Sequence, residues 1–257
     1  MTNIRLLVAY DGTDFHGLAP NHGVRTVVGE LQRVIEPLIG EVPDIVMSGR
    51  TDKGVHAWGQ VLSFTMPDGV VELDRIQKSI NSRLGPEIVV REVSVAPDEF
   101  SARFSATGRA YRYLIINRDV TDPFLARTGW WVPKPLDLEA MNAACPHVIG
   151  EHDFSSFCRK PKVSPCRISG ETHEPSLVRR VSSAQWRDLG DGLVRFEIAG
   201  SAFCHQMVRS IVGFMVGVGT GKRRADELAG VLAAQDRSKA ENPAPPHGLT
   251  LYEVVYP

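Results

Sequence analysis

The sequence has no Cys-x-x-Cys pair. Its four cysteines, Cys145, Cys158, Cys166 and Cys204, stand apart along 257 residues, which argues against a redox dithiol and fits a reducing cytoplasm. Long apolar runs are also missing. The longest, around Ile211 to Val218, is interrupted by Gly213 and Gly217 and falls well short of the roughly 20 residues that a membrane span needs, so no membrane role follows. The opening MTNIRLLVAY lacks the charged start, extended apolar stretch and cleavage site of a secretory leader. No charge of one sign dominates either, since 29 Lys+Arg face 30 Asp+Glu for a net charge of -1. A nucleic-acid partner must therefore be sought in local patches. What is present, 43% hydrophobic and 23% charged residues, is ordinary globular composition for one large domain or two small ones. It excludes disorder, collagen and coiled coil.

Hydrophobic periodicity gives the element order. Ile4 to Tyr10 predicts a strand, and Val28, Leu31, Ile35 and Leu38 fall at helical spacing within Thr26 to Ile39. Ile45 to Met47 and Val55 to Phe64 are short strand-like runs. Leu73, Ile76, Ile80 and Leu84 line one helix face, and Ile88 to Val95 closes a β-α-β-β-α-β unit. The second half repeats the order more loosely. It has a strand at Ala110 to Asn117, a helix from the cap Asp137 to Val148, and strands at Val181 to Trp186 and Leu193 to Ile198. A helix from His205 to Val218 and a last strand at Thr250 to Tyr256 follow. The expected class is α+β: two ferredoxin-like halves, of RRM-like topology, with joined, mainly antiparallel sheets and a cleft between them. The boundary is set within Ala96 to Gly108, giving halves 1–103 and 104–257. Ser238 to Gly248, with three prolines, reads as a loop.

Charge is balanced in sum and segregated in detail. Three windows contain no acid: Phe100 to Arg118 with Arg103, Arg109, Arg112 and Arg118; Phe154 to Gly170 with Arg159, Lys160, Lys162 and Arg167; Ala199 to Arg224 with Arg209, Lys222, Arg223 and Arg224. Single acid-free windows are commonplace. Three in one half, interleaved with Tyr111, Tyr113, Phe154, Phe157 and Phe203, point to a face for a polyanion. The stacking aromatics of an RRM strand are absent, so RNA would not be bound in that manner.

The sharpest local signal is Ser48-Gly49-Arg50-Thr51-Asp52-Lys53-Gly54-Val55-His56. It is a loop bounded by glycines that presents one carboxylate between two cations, an environment favouring the ionised form that a nucleophile needs. The bland alternative is a hairpin turn whose aspartate caps backbone N–H groups.

GRTDKGVHA closely resembles the signature of the TruA-type tRNA pseudouridine synthase family. The resemblance extends over nearly the whole chain through YDGTDFHG, FSARFSATGRAYRY, HDFSSFC, AFCHQMVRSIVG and GLTLYEVVYP. It implies the pseudouridine synthase fold, a homodimer, tRNA as substrate and no cofactor. It also implies Asp52 as the catalytic aspartate, Tyr111 as the active-site tyrosine and Arg209 as the arginine that pairs with the aspartate. Arg50 would assist base flipping, and Leu249 would cover the flipped base. The implied reaction breaks the N1–C1' bond of uridine, rotates the uracil, joins C5 to C1' and removes the C5 proton. Asp52 attacks C6, attacks C1', or abstracts a proton to give a glycal. The expected targets are positions 38 to 40 of the anticodon stem-loop. Phosphate contacts are expected from Arg159, Lys160, Lys162, Lys222 and Arg223. Leu18-Ala19-Pro20 departs from the family pattern, which commonly has an aromatic and a glutamine after YDGTDFHG.

Other chemistries fare worse. A glycosidase needs a second carboxylate, and Asp44 and Asp68 have no motif around them. Cys158, Cys166, Cys204 and His205 fit no zinc spacing and read as incidental thiols, so no metal is expected. GVGTGKRR has Val216 where a phosphate loop needs glycine and Arg223 where it needs Ser or Thr, which removes a nucleotide cofactor. His16, His56 and His152 read as structural or solvent-facing. A non-catalytic tRNA-binding module shares every basic residue and differs only at Asp52.

Overall fold

The computed structural model describes residues 1–70, 72–159 and 176–257. Lys160, Lys162 and Cys166 lie outside the described residues. The chain forms two compact units. One comprises Met1–Arg112, Pro123–Gly129 and Pro246–Pro257, and the other comprises Tyr113–Asp122 and Trp130–Pro245. Set beside the 103/104 boundary, the first unit also takes in two later segments.

In the first unit the order β1 (Thr2–Tyr10), α1 (Val27–Ile39), β2 (Val46–Met47), β3 (His56–Met66), α2 (Leu73–Leu84), β4 (Ile88–Val95) follows the β-α-β-β-α-β expectation. β1 pairs antiparallel with both β3 and β4. Its alternation therefore decides the core: Ile4, Leu6 and Val8 are fully buried on one face. Helix α1 starts where the Thr26 hydroxyl accepts the Gly29 N–H at 3.2 Å, and it stops at Gly40, whose φ of +82° suits a residue without Cβ. It buries Val27, Val28, Leu31, Val34, Ile35 and Ile39 over the sheet, while α2 contributes Ile76 and Ile80. Each such side chain contributes roughly 1.5–3 kcal/mol of transfer free energy, so this layer supports whatever the loops above it hold.

Strand β5 (Gly108–Ile116) runs through both units. In the second unit β6 (Trp130–Trp131) pairs parallel with it, placing Ile115 opposite Trp130. Helix α3 (Leu138–Ala144) is capped by Asp137, which accepts the Ala140 N–H at 2.9 Å, and passes into a short 3-10 turn at Cys145–Val148. β7 (Gly150–Asp153), β8 (Val178–Asp188) and β9 (Leu193–Gly200) make an antiparallel meander. Helices α4 (Met207–Gly219) and α5 (Glu227–Ala234) complete the unit. The apolar run from Ile211 to Val218 lies within α4, where Ile211, Val212, Phe214, Met215, Val216 and Val218 are buried. Among the described residues no helix is long and apolar enough to cross a membrane.

The last strand, β10 (Leu249–Val255), returns to the first unit. It runs parallel to β3, with Thr250 opposite His56 and Leu251 opposite Ala57. The strand order is β4-β1-β3-β10-β5 on that side and β5-β9-β8-β7 in the second unit, a mixed α+β fold with mostly antiparallel pairing. One expectation is corrected. Cys158 and Cys204 are not separate thiols but face each other as a pair, with Cα atoms 5.8 Å apart. Their separation of 46 residues hides the pair from a spacing search.

Candidate active site

The loop between β2 and β3 carries Asp52, and its inward residues fix it to the first unit. The Ser48 hydroxyl donates to Gln60 Oε1 at 2.5 Å, and Gln60 Nε2 donates to the Gly49 carbonyl at 3.1 Å. The Thr51 hydroxyl shares a 2.7 Å hydrogen bond with the Tyr10 hydroxyl, and the Thr51 carbonyl accepts the Leu18 N–H at 3.2 Å. Arg109 donates from its guanidinium to the Ser48 carbonyl at 2.8 Å. A buried amide such as that of Gln60, at 0% exposure, persists only with its donor and acceptor both used, so these contacts are strongly directional. The loop then turns sharply. The Val55 N–H reaches the Asp52 carbonyl at 3.1 Å around Gly54, whose φ is +79°.

This floor leaves the charged residues above it. Ser48 and Thr51 are buried, Asp52 is half-buried, and Arg50 and Lys53 are exposed. Lys53 Nζ lies 3.2 Å from His16 Nε2. Arg50 makes no hydrogen bond or ion pair among the described residues, so its charge faces solvent beside the aspartate.

Tyr111, on the part of β5 that belongs to the first unit, is half-buried and packs on that unit's core. Burial pushes its hydroxyl up to about 12; Arg109 opposes the shift, and the charge of Asp52 adds to it. Tyr111 and Asp52 are thus electrostatic neighbours. The direction is opposite to that of a phenol activated by cations, because low-dielectric burial outweighs the one arginine. Leu249 heads β10, buried at 6% exposure, one residue before the Thr250–His56 pairing.

The remaining candidates belong to the second unit. Arg209 lies on α4 and is half-buried. Its Nε donates to the Ala244 carbonyl at 2.7 Å, and its own carbonyl accepts the Ala244 N–H at 2.9 Å. Tyr113 is fully buried; its hydroxyl donates to the Pro245 carbonyl at 2.8 Å and its ring meets Trp130 edge-on, so it packs the interior of its unit. Arg159 and Lys222 are exposed. The guanidinium of Arg223, also an expected phosphate contact, is paired with Glu241 at 3.0 Å and Glu227 at 3.2 Å. Arg224 is likewise paired with Asp226 at 2.9 Å.

Tyr10, Gln60 and Arg109 were not singled out as parts of the site. Tyr10 and Arg109 lie in the motifs YDGTDFHG and FSARFSATGRAYRY, which carry the resemblance but not the role, and Gln60 lies in no motif; only the approach of β1, β3 and β5 to one loop reveals the three as its anchors.

An aspartate on a loop anchored to the sheet of an α+β unit, within electrostatic reach of a tyrosine, marks a class in which the sequence match is decisive. Residues 6–105 and 144–257 match the tRNA pseudouridine synthase family, and the chain belongs to that family. It is 38% identical to the tRNA pseudouridine synthase A of Acetivibrio thermocellus and 41% identical to that of Brevibacillus brevis, each over 100% of both chains. It is 41% identical to the protein of the same name from Halalkalibacterium halodurans, over 97% of this chain and 90% of that one.

Proposed function

We propose that the chain isomerises uridine to pseudouridine at positions 38 to 40 of the tRNA anticodon stem-loop, with Asp52 as nucleophile or base. The observation that carries this reading is the fixed seat of Asp52 beside Tyr111, in a chain whose family acts on tRNA. The reaction moves one glycosidic bond: N1–C1' breaks, C5–C1' forms, and the proton on C5 departs. Each step needs a carboxylate and a proton relay but no redox partner or group donor. Arg50, exposed next to Asp52, is assigned to holding the displaced strand or base. A paired uridine must leave its stack at a cost of a few kcal/mol, and a cation with an apolar cover such as Leu249 offsets that cost.

In this reading Arg209 takes the family's part of the arginine that pairs with the aspartate, and the phosphate-binding windows are assigned to residues 104–257. Arg159 and Lys222 are the described cations best suited to phosphate, with Lys160 and Lys162 proposed beside them. A homodimer working in the cytoplasm completes the proposal.

Transcribed tRNA carrying tritium at C5 of uridine provides the assay. The wild-type protein releases label to water, and Asp52→Asn, equal in size and uncharged, abolishes release while keeping tRNA affinity within about tenfold, roughly 1.4 kcal/mol. Release surviving in Asp52→Asn rejects the catalytic assignment. No release from any tRNA by the wild type rejects the function.

A further inference from the structure

We propose that His56 is a positioning residue for this site, a buried ring that donates from Nε2 and fixes the aspartate loop and the head of β10 at one spacing. The inference rests on the reading of Asp52 as the catalytic residue. His56 is 5% exposed and follows the Asp52 turn directly as the first residue of β3. Its Nδ1 accepts the backbone N–H of Gly12 at 3.0 Å, while Nε2–H donates to the carbonyls of Arg127 at 3.1 Å and His247 at 3.0 Å. A ring nitrogen that accepts from an amide carries no proton, so the Gly12 contact dictates the tautomer.

The charged groups facing the ring are Asp11 and, through it, Arg127 and Asp14. Asp11 Oδ1 lies 3.1 Å from Nδ1, and it accepts the Thr13 N–H at 3.0 Å and the Thr13 hydroxyl at 2.5 Å. The other Asp11 oxygen faces Arg127 Nε at 3.6 Å, and Arg127 also pairs with Asp14.

One ring therefore gathers the turn after β1, the exit of the aspartate loop, the segment Pro123–Gly129 and the turn that leads into Leu249. All three hydrogen-bond partners are backbone groups, which orient a segment whatever its side chains. The fit leaves no slack. A Cβ on Gly12 would collide with the Val55 carbonyl, and one on Gly54 would come within 3.1 Å of Pro246 Cγ. With the ring removed, these four stretches lose their common anchor. Asp52 and Leu249 would then shift relative to each other by enough to spoil attack on a base.

Three variants separate the arms. His56→Asn keeps an acceptor at the δ position and loses the donor, His56→Gln keeps a donor at the ε position and loses the acceptor, and His56→Ala loses both. Assayed below each variant's Tm, His56→Ala is expected to lower the single-turnover rate by about a hundredfold with KM for tRNA unchanged, the signature of a displaced reacting group rather than lost binding. The Asn and Gln variants recover part of the rate. A folded His56→Ala protein with the wild-type rate overturns the proposal, even if its Tm has fallen. If none of the variants folds, histidine nitrogen NMR of the wild-type chain decides. A protonated Nε2 supports the assignment, and an unprotonated Nε2 overturns it. Asp52→Asn run in parallel keeps the two ideas apart: activity surviving there discards the catalytic reading, whereas wild-type rates in the His56 series discard only the anchor.

Discussion

Burial, the largest influence on it, pushes the Tyr111 hydroxyl up to about 12. A phenol in that state is no free base at neutral pH. It can still relay a proton in concert with transfer to another group, which makes the hydroxyl useful as a bridge and the phenolate irrelevant. Two outcomes follow for single-turnover kinetics. Tyr111→Phe, which keeps the ring, slows product formation by about a hundredfold while tRNA binding holds, and C5-deuterated substrate reveals an isotope effect as the proton step becomes limiting. In the wild type the rate shows no tenfold rise per pH unit between neutrality and pH 10. Such a rise would mean that the ionised phenol is the acting species. At the same scale, the sequence marks Asp52 and Arg50 clearly, because their motif is local. It gives no role to Gln60 or to Tyr10, the first residue of YDGTDFHG, because that role arises from contacts across 11 to 41 residues of chain.

The long elements were legible because their signal is periodic. The Val28, Leu31 and Ile35 stripe became the buried face of α1, and the alternation of β1 became the core face of the sheet. Apart from β2, the shortest elements have no period to show. β6 has two residues, β7 has four, and α5 is a short helix in which only Leu228, Val231 and Leu232 are buried. Partner choice was hidden as well: β10 was read as a strand, but nothing in its own sequence says that it lies parallel to β3. The close approach of the turn after β1 to the aspartate loop gives a test at this scale. Gly12→Ala places a methyl group against the Val55 carbonyl and is expected to cost about 1–3 kcal/mol through forced backbone displacement. Thermal denaturation measures that cost, and the tritium assay, run below the variant's Tm, should show a loss of turnover that a remote glycine substitution such as Gly230→Ala does not.

For the whole molecule, charge and buried phenols set two expectations. Removing Arg159 and Lys222 together flattens the dependence of log K for tRNA on log salt by about 0.7–0.9 per lost phosphate contact. Arg223→Gln leaves that slope alone and lowers stability, since its charge is spent on Glu241 and Glu227; filter binding and a melting curve tell the two apart. The second expectation concerns alkali. Burial raises the pKa of Tyr10, Tyr111, Tyr113 and Tyr256 above the ordinary value of 10.0. Above pH 10 the unfolded chain therefore binds fewer protons than the folded one, and stability falls as pH rises toward 12. Melting temperatures recorded across that range should drop steeply, and less so in Tyr113→Phe.

The return of β10 to β3 has a consequence in time. The ribosome makes the aspartate loop early, but the His247 carbonyl that meets His56 arrives 191 residues later. Contacts this distant in sequence are slow to form and are among the last to be secured. A nascent chain thus carries Asp52 long before the backing of its loop has been synthesised, so the contact of His56 with the His247 carbonyl can close only when the chain is nearly complete.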